Sequence, residues 1–166
     1  MLTAVINGID WFVEKEGKLS SFLIYPLVLI VLYEVLMRYV FNAPTTWGFE
    51  ATAFLYGLHY MFGLSYTENQ AGHVRVDILT SRLSERAQAV LGLIGYLLVF
   101  LPIYVLMAIG TVKYAQTATV MGELNSTSWA QPLGPLKILM AWCFLTLVVQ
   151  GFSTLLKHLR ALTGKS

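Results

Sequence analysis

The chain has 166 residues, of which 57% are hydrophobic and only 12% are charged. An average soluble domain is about 45–50% apolar and about 25% charged, so this composition excludes a water-soluble domain, and it excludes a disordered chain too. The net charge of +2 is too small to indicate nucleic-acid binding, and the single cysteine excludes an intrachain disulfide. Composition therefore indicates one integral membrane domain over residues 1–166.

The first predicted element is an amphipathic helix over residues 1–18. Apolar residues recur at spacings of four, three and four, and polar residues lie on the opposite side. The apolar face consists of Leu2, Ile6, Ile9 and Val13, and the polar face consists of Asn7, Asp10 and Glu14. Because such a helix can bury one side in lipid, we expect it to lie in the membrane interface.

Four apolar stretches follow, and each can be extended to the roughly 20 residues that a transmembrane helix needs. The predicted spans lie near residues 19–41, 47–67, 85–113 and 136–157. Ser84 is a plausible N-cap for the third span, and Pro102 predicts a kink inside it. The predicted fold is an all-α integral membrane protein with four transmembrane helices and an N-terminal interfacial helix.

The basic residues predict the orientation. Four spans put both termini on one side, and that side carries eight of the eleven Lys and Arg residues: Lys15, Lys18, Arg75, Arg82, Arg86, Lys157, Arg160 and Lys165. Because basic residues concentrate in cytoplasmic segments, both termini are predicted to be cytoplasmic.

Charged residues inside the spans are the main candidates for function. Glu34 and Arg38 share a helix face at a spacing of four, and a tight connection with Pro44 places Arg38 and Glu50 at one depth. One interpretation is an ion or substrate pathway. We prefer a structural cluster that locks the hairpin or docks a partner, because a permanent guanidinium neutralises the acids. We predict that Arg38 pairs with Glu50, with Glu34 as a second acceptor.

Other chemistry is weakly supported. His59 is the one histidine in a predicted span, so a bis-histidine haem lacks its second ligand, and a packing role is favoured. The sequence contains no nucleophile–base pair, phosphate loop or metal-spaced cluster, so we predict no catalytic or metal-binding residues and no enzyme. Two alternatives are a small proton-coupled multidrug-type exporter that uses Glu34 and a membrane anchor of a redox complex.

Several segments together resemble one family. They are residues 37–44, then Trp47 and Glu50, then residues 72–77 and the stretch 128–137. The combination, in this order and spacing, resembles the small membrane subunit of tripartite ATP-independent periplasmic (TRAP) transporters. The candidates for structural or partner contacts are Glu34, Arg38, Asn42, Pro44, Trp47 and Glu50. A cytoplasmic loop motif comprises Gly72, His73, Val74 and Asp77.

The resemblance implies sodium-driven uptake of a carboxylate-bearing organic solute across the bacterial inner membrane. A periplasmic substrate-binding protein would capture the solute, and a large permease subunit would carry the substrate and sodium sites. The small subunit would support the large one and help dock the binding protein. We therefore expect no substrate-binding residue and no cofactor in this chain. Membrane lipids are expected to surround it, and a bound phospholipid is compatible with this expectation.

Overall fold

A computed structural model describes residues 2–70 and 83–163, and these residues form helices joined by short connections. The described helices are α1 (Leu2–Ser21), α2 (Ile24–Tyr39), α3 (Gly48–Asn69), α4 (Glu85–Gly95), a π-helical segment (Tyr96–Phe100), α5 (Leu101–Met121) and α6 (Gly134–Thr163). This architecture confirms the predicted all-α class.

Helices α1 and α2 are separated by a single tight turn. Pro26 has no backbone N–H, so the carbonyl of Phe22 cannot receive an α-helical hydrogen bond from it. Instead the N–H of Tyr25 donates to the Phe22 carbonyl at 3.2 Å, and the N–H of Phe22 donates to the Leu19 carbonyl at 3.1 Å. These shorter-range bonds tighten the backbone and let α2 follow almost directly from α1.

The helix that contains the predicted third span is longer than expected. Its three parts, α4, the π-helical segment and α5, run without a break from Glu85 to Met121. The π-helical segment lies just before Pro102, where the proline removes a backbone donor. The helix ends where Gly122 takes a left-handed conformation, with φ of 60°, which glycine adopts without steric cost. Residues 114–121, which follow the predicted third span, are therefore helical.

Within the described ranges, three helical stretches are long and apolar enough to cross a membrane. They are Thr3–Tyr39, Arg86–Met121 and Gly134–Leu162. Helix α3 has 22 residues and is about 33 Å long, which is sufficient length. It falls outside this group because Tyr56, His59 and Tyr60 interrupt its apolar residues.

Helix α6 is the centre of the packing. It contacts α1, α3, α4, the π-helical segment and α5, whereas α2 packs only against α3 among the main helix contacts. Half of the most apolar part of α6 is buried, but almost none of the corresponding parts of the α1–α2 and α4–α5 stretches is. Ala108, Ala115 and Ala118 of α5 are buried, since small side chains allow α5 to approach α6 closely. The molecule is therefore an open layer of helices with large exposed apolar faces.

Candidate functional site

The first polar site lies where the chain turns from α2 into α3. Glu34 accepts a hydrogen bond from Arg38 Nη2 at 2.8 Å, another from the Thr45 hydroxyl, and a third from the Thr45 N–H at 3.3 Å. The Thr45 Oγ1 in turn accepts from the Gly48 N–H at 3.0 Å. We call Glu34, Arg38, Thr45 and Gly48 the hairpin cluster.

The hairpin cluster stabilises the first turn of α3. Free N–H groups at a helix start carry partial positive charge, which favours a nearby carboxylate. Glu34 approaches this turn so closely that a Cβ on Gly48 would lie 2.7 Å from Glu34 Oε2 and 2.7 Å from Thr45 Oγ1. Only glycine fits there without displacing one of them. Both carboxylate oxygens of Glu34 are therefore engaged in fixing the hairpin.

Three more of the predicted residues shape the same turn. Asn42 has a φ of 51°, a left-handed conformation that asparagine tolerates better than most residues, and next to it the Ala43 N–H donates to the Met37 carbonyl at 2.8 Å. Pro44 lies exposed in the connection. The Trp47 ring stacks on Tyr33 with the ring centroids 5.9 Å apart, so it fastens the connection to α2.

The predicted pairing of Arg38 with Glu50 is wrong. Arg38 forms its ion pair with Glu34, and Glu50 accepts a hydrogen bond from Asn125 Nδ2 at 2.9 Å. Among the residues that the structure describes, no ion pair joins Arg38 to Glu50. The antiparallel count considers only position along the hairpin and does not give the direction in which α3 turns these residues. Glu50 faces the connection after α5, whereas Glu34 shares a helix face with Arg38.

A second charged pair holds that connection, residues 122–133. Lys137 Nζ lies 2.5 Å from Glu123 Oε2 and 3.6 Å from the centroid of the Tyr114 ring. The lysine is buried, and the aromatic face and the carboxylate together compensate its charge. With the Asn125–Glu50 bond, this pair fixes the connection to α3, α5 and α6.

A third polar site lies near the other end of α3. Asp10 of α1 accepts from Gln150 Nε2 at 3.1 Å, from Ser153 Oγ at 2.9 Å and from Lys157 Nζ at 2.8 Å. Asn69 Nδ2 donates to the Asp10 backbone carbonyl at 3.1 Å. We call Asp10, Asn69, Gln150, Ser153 and Lys157 the Asp10 cluster. It joins α1, α3 and α6.

Sequence reasoning missed the Asp10 cluster. The sequence predicts Asp10 on the polar face of an interfacial helix, whereas in the structure it binds side chains of α6. The available signal was in α6, where Thr146, Gln150, Ser153 and Lys157 recur at spacings of four, three and four in an otherwise apolar helix. That pattern predicts a polar stripe, and a buried stripe of this kind needs a polar partner.

His59 and one residue that was not predicted, Glu68, also have structural roles. His59 Nδ1 lies 3.0 Å from the Ser20 carbonyl oxygen, which joins α3 to α1 and supports the packing interpretation. Buried Glu68 accepts from the Tyr96 hydroxyl and from Thr154 Oγ1 at 3.2 Å, which links α3 to the π-helical segment and α6. No group of three or more His, Cys, Asp or Glu within residues 2–70 and 83–163 could hold a metal ion.

The predicted loop motif of Gly72, His73, Val74 and Asp77 lies outside the described residues. The polar sites that are described share one property. Glu34, Glu50, Asp10 and Glu123 each bind a donor on another helix or connection, or an arginine one helical turn away. Such sites hold helices and connections together.

Comparison with known proteins gives a family match over most of this chain. Residues 27–161 match the family described as tripartite ATP-independent periplasmic transporters, DctQ component. The chain is 26% identical over 144 residues to the sialic acid TRAP transporter permease protein SiaT of Haemophilus influenzae, a match that covers 85% of this chain and 23% of SiaT. It is 27% identical over 99 residues to the C4-dicarboxylate TRAP transporter small permease protein DctQ of Vibrio cholerae, covering 60% of this chain and 42% of that relative.

The matched segments thus span less than half the length of either relative. The family match, by contrast, extends over most of this chain, from within α2 to within α6. Members of this family are components of transporters and not enzymes. The chain therefore belongs to the DctQ component family of TRAP transporters and is a small membrane subunit of such a transporter.

Proposed function

We propose that this chain is the scaffold subunit of a sodium-driven, binding-protein-dependent uptake system for a carboxylate-bearing organic solute in the bacterial inner membrane. The observation that carries the proposal is the engagement of the charged groups. Glu34 and Asp10, two partly buried acids near the two ends of α3, both accept hydrogen bonds from structural donors. Substrate and sodium sites then belong to the large permease subunit.

The substrate class is supported by the names of the relatives. One relative is a sialic acid permease and the other a C4-dicarboxylate permease, and both of those solutes carry carboxylate groups. The large permease is supported by the SiaT match, because 85% of this chain corresponds to only 23% of that protein. We propose that a separate large subunit supplies the remainder.

Four spans are supported by the course of α3. Glu34 of α2 contacts Gly48 at the start of α3, and Asp10 of α1 contacts Asn69 at its end. The α1–α2 stretch and α3 are therefore antiparallel along the whole of α3. If Thr3–Tyr39 crosses the membrane, α3 returns along the same path and crosses it too. Both termini then lie on one side, and the basic residues indicate that this side is the cytoplasm.

The topology can be tested by cysteine labelling. Cys143 is buried, and replacing it with alanine leaves a background without thiols. Ser126 is exposed in the 122–133 connection. The proposed topology places this connection in the periplasm, the side on which the binding protein would dock. A Ser126→Cys variant should react with a membrane-impermeant maleimide in intact spheroplasts. Reaction only after the spheroplasts are lysed contradicts the proposed orientation.

The exporter alternative uses Glu34 as a proton carrier. A carrier carboxylate must be reachable and must exchange its partner during transport. Here one oxygen of Glu34 accepts from Arg38 and the other from Thr45. The Thr45 hydroxyl oxygen in turn accepts from the N–H of Gly48, the first residue of α3. Protonation of Glu34 would disrupt the start of that helix, so the geometry favours the scaffold.

The transport experiment separates the two functions. The purified chain is reconstituted in liposomes alone, and in parallel with the large permease subunit and the binding protein, under an inward sodium gradient. We expect solute uptake only in the complete system. Uptake, or proton-driven drug export, by the chain alone overturns the proposed function.

A further inference from the structure

One face of α3 is covered by no helix in the described part of the chain. Phe49, Ala53, Tyr56 and Tyr60 follow one another at spacings of four, three and four, so they share a face. All four are exposed, Tyr56 to 61% and Tyr60 to 62%. We call these four residues the free face of α3.

The free face of α3 is poorly suited to lipid. Tyr56 and Tyr60 lie on either side of the midpoint of α3, where a spanning helix meets hydrocarbon and not the interface that tyrosine prefers. Neither hydroxyl hydrogen-bonds to another residue in the described part of the chain. Hydrocarbon offers no acceptor, and an unmatched hydroxyl there is costly.

The other exposed faces are mostly aliphatic. Helix α2 exposes Leu29 and Leu36 among other aliphatic side chains, besides tyrosines such as Tyr25, and the α4–α5 stretch exposes Leu98 and Leu106. The corresponding stretches are apolar enough to cross a membrane unaided, whereas α3 is not. Lipid therefore suits α2 and α4–α5, and α3 requires protein on its remaining side.

Glycines make the free face of α3 accessible to another helix. A Cβ built on Gly57 or on Gly63 meets no atom within 4 Å, so both positions are open hollows beside the tyrosines. In membranes, helices associate where small residues allow close approach and where polar side chains bond across the contact. Gly57 lies between Tyr56 and Tyr60, which combines both features at the middle of the span.

The free face of α3 continues into a groove at the hairpin cluster. This groove has a volume of about 250 Å³ and is lined by Arg38, Tyr39, Phe49 and Thr52, among others. The side chain of Arg38 is half-exposed there, although one nitrogen binds Glu34. A guanidinium has five N–H donors, so a hydrogen-bond acceptor on an incoming helix would be complementary.

We infer that the free face of α3 is the surface on which the large permease subunit docks. The contacting element is a transmembrane helix with small side chains opposite Gly57 and Gly63, acceptors opposite the two phenols, and a carbonyl or carboxylate oxygen opposite Arg38. This inference rests on the proposed function. The large permease is chosen over a second copy of this chain because, in SiaT, the region similar to this chain belongs to one polypeptide with a much larger remainder.

The test fills one hollow and compares it with a matched position. Gly57→Leu places a bulky side chain on the free face of α3, and Gly110→Leu does the same on α5, where a Cβ also meets no atom within 4 Å. Leucine is a better helix former than glycine, so neither variant is expected to unfold its helix. Each variant is co-expressed with the large permease subunit, and the amount of large subunit that co-purifies is measured.

We expect Gly57→Leu to lower the amount of co-purified large subunit about tenfold, because the leucine would overpack a close helix contact. With Gly110→Leu, the amount should equal that of the parent. A photo-reactive benzoylphenylalanine in place of Tyr60 should cross-link to the large subunit. The same group in place of Leu106, which is 70% exposed, should not.

The outcomes distinguish the docking surface from the function. If the unaltered chain recovers no large subunit, the proposed function fails. If it recovers the complex but Gly57→Leu does so equally well, or the cross-link forms at position 106 and not at 60, the docking surface is wrong and the function stands. A cross-link at position 60 to a second copy of this chain also overturns the inference, because it identifies a homodimer contact.

Discussion

The Asp10 cluster should make a large contribution to the stability of the chain, and Asp10→Ala tests this. The substitution removes the acceptor for Gln150, Ser153 and Lys157. Gln150 and Ser153 are 0% exposed, so water cannot replace the lost bonds, whereas partly exposed Lys157 can be solvated. Hydrogen bonds to a charged group contribute about 1.5–3 kcal/mol each, and two such bonds, reduced for the partial exposure of Asp10, give a loss of about 3 kcal/mol.

Thermal unfolding of the detergent-solubilised chain, followed by tryptophan fluorescence, measures this loss. For a protein of 150–250 residues, 1 kcal/mol shifts the Tm by about 2–4 °C, so we expect a decrease of about 6–12 °C. The control is Glu14→Ala, which removes the partner of Lys18 on the exposed side of the same helix. Exposed ion pairs contribute little, so its Tm should stay near that of the parent. Equal shifts for the two variants would refute the buried role of Asp10.

Two further predictions concern the hairpin cluster. Gly48→Ala should reduce the free energy of unfolding by about 1–3 kcal/mol, because its Cβ would lie 2.7 Å from Glu34 Oε2. Gly110→Ala places its Cβ in open space and should raise the free energy of unfolding by about 0.5–1 kcal/mol. Thermal unfolding measures both, and a Tm loss at position 110 contradicts the assignment. Arg38→Ala should lower the yield of complex with the large permease more than Glu50→Gln does, because a glutamine at position 50 can still accept the hydrogen bond from Asn125. Equal yields for the two variants would exclude a role of Arg38 in assembly.

The helices could be predicted from the sequence because their apolar residues are continuous or periodic. Helix α3 begins at Gly48, one residue after the predicted start of the second span. The end of α5 could not be predicted in the same way. Lys113 marked the end of the apolar run, but a helix continues through polar residues until its backbone geometry changes, which happens here at Gly122.

The polar sites show a different limit. A spacing of four within one helix is enough to predict contact between Glu34 and Arg38, because the rotation between them is fixed. Contacts between helices also depend on how each helix is rotated, and the sequence does not specify this. The sequence therefore does not predict the orientation of Glu50 toward Asn125. It does not predict the α6 partners of Asp10 either, because they lie about 140 residues further along the chain.

In the proposed four-span topology, helix α3 is a span that hydropathy alone does not identify. Hydropathy describes the cost of a helix surrounded by lipid on every side, and α3 is not in that situation. Its buried Glu68 is compensated by Tyr96 and Thr154 within this chain, so part of its polarity is already accounted for. Within the described residues, the hydroxyls of Tyr56 and Tyr60 have no hydrogen-bond partner. In the proposed four-span topology, a helix this polar needs protein on its open side, so its polarity supports the proposed docking surface.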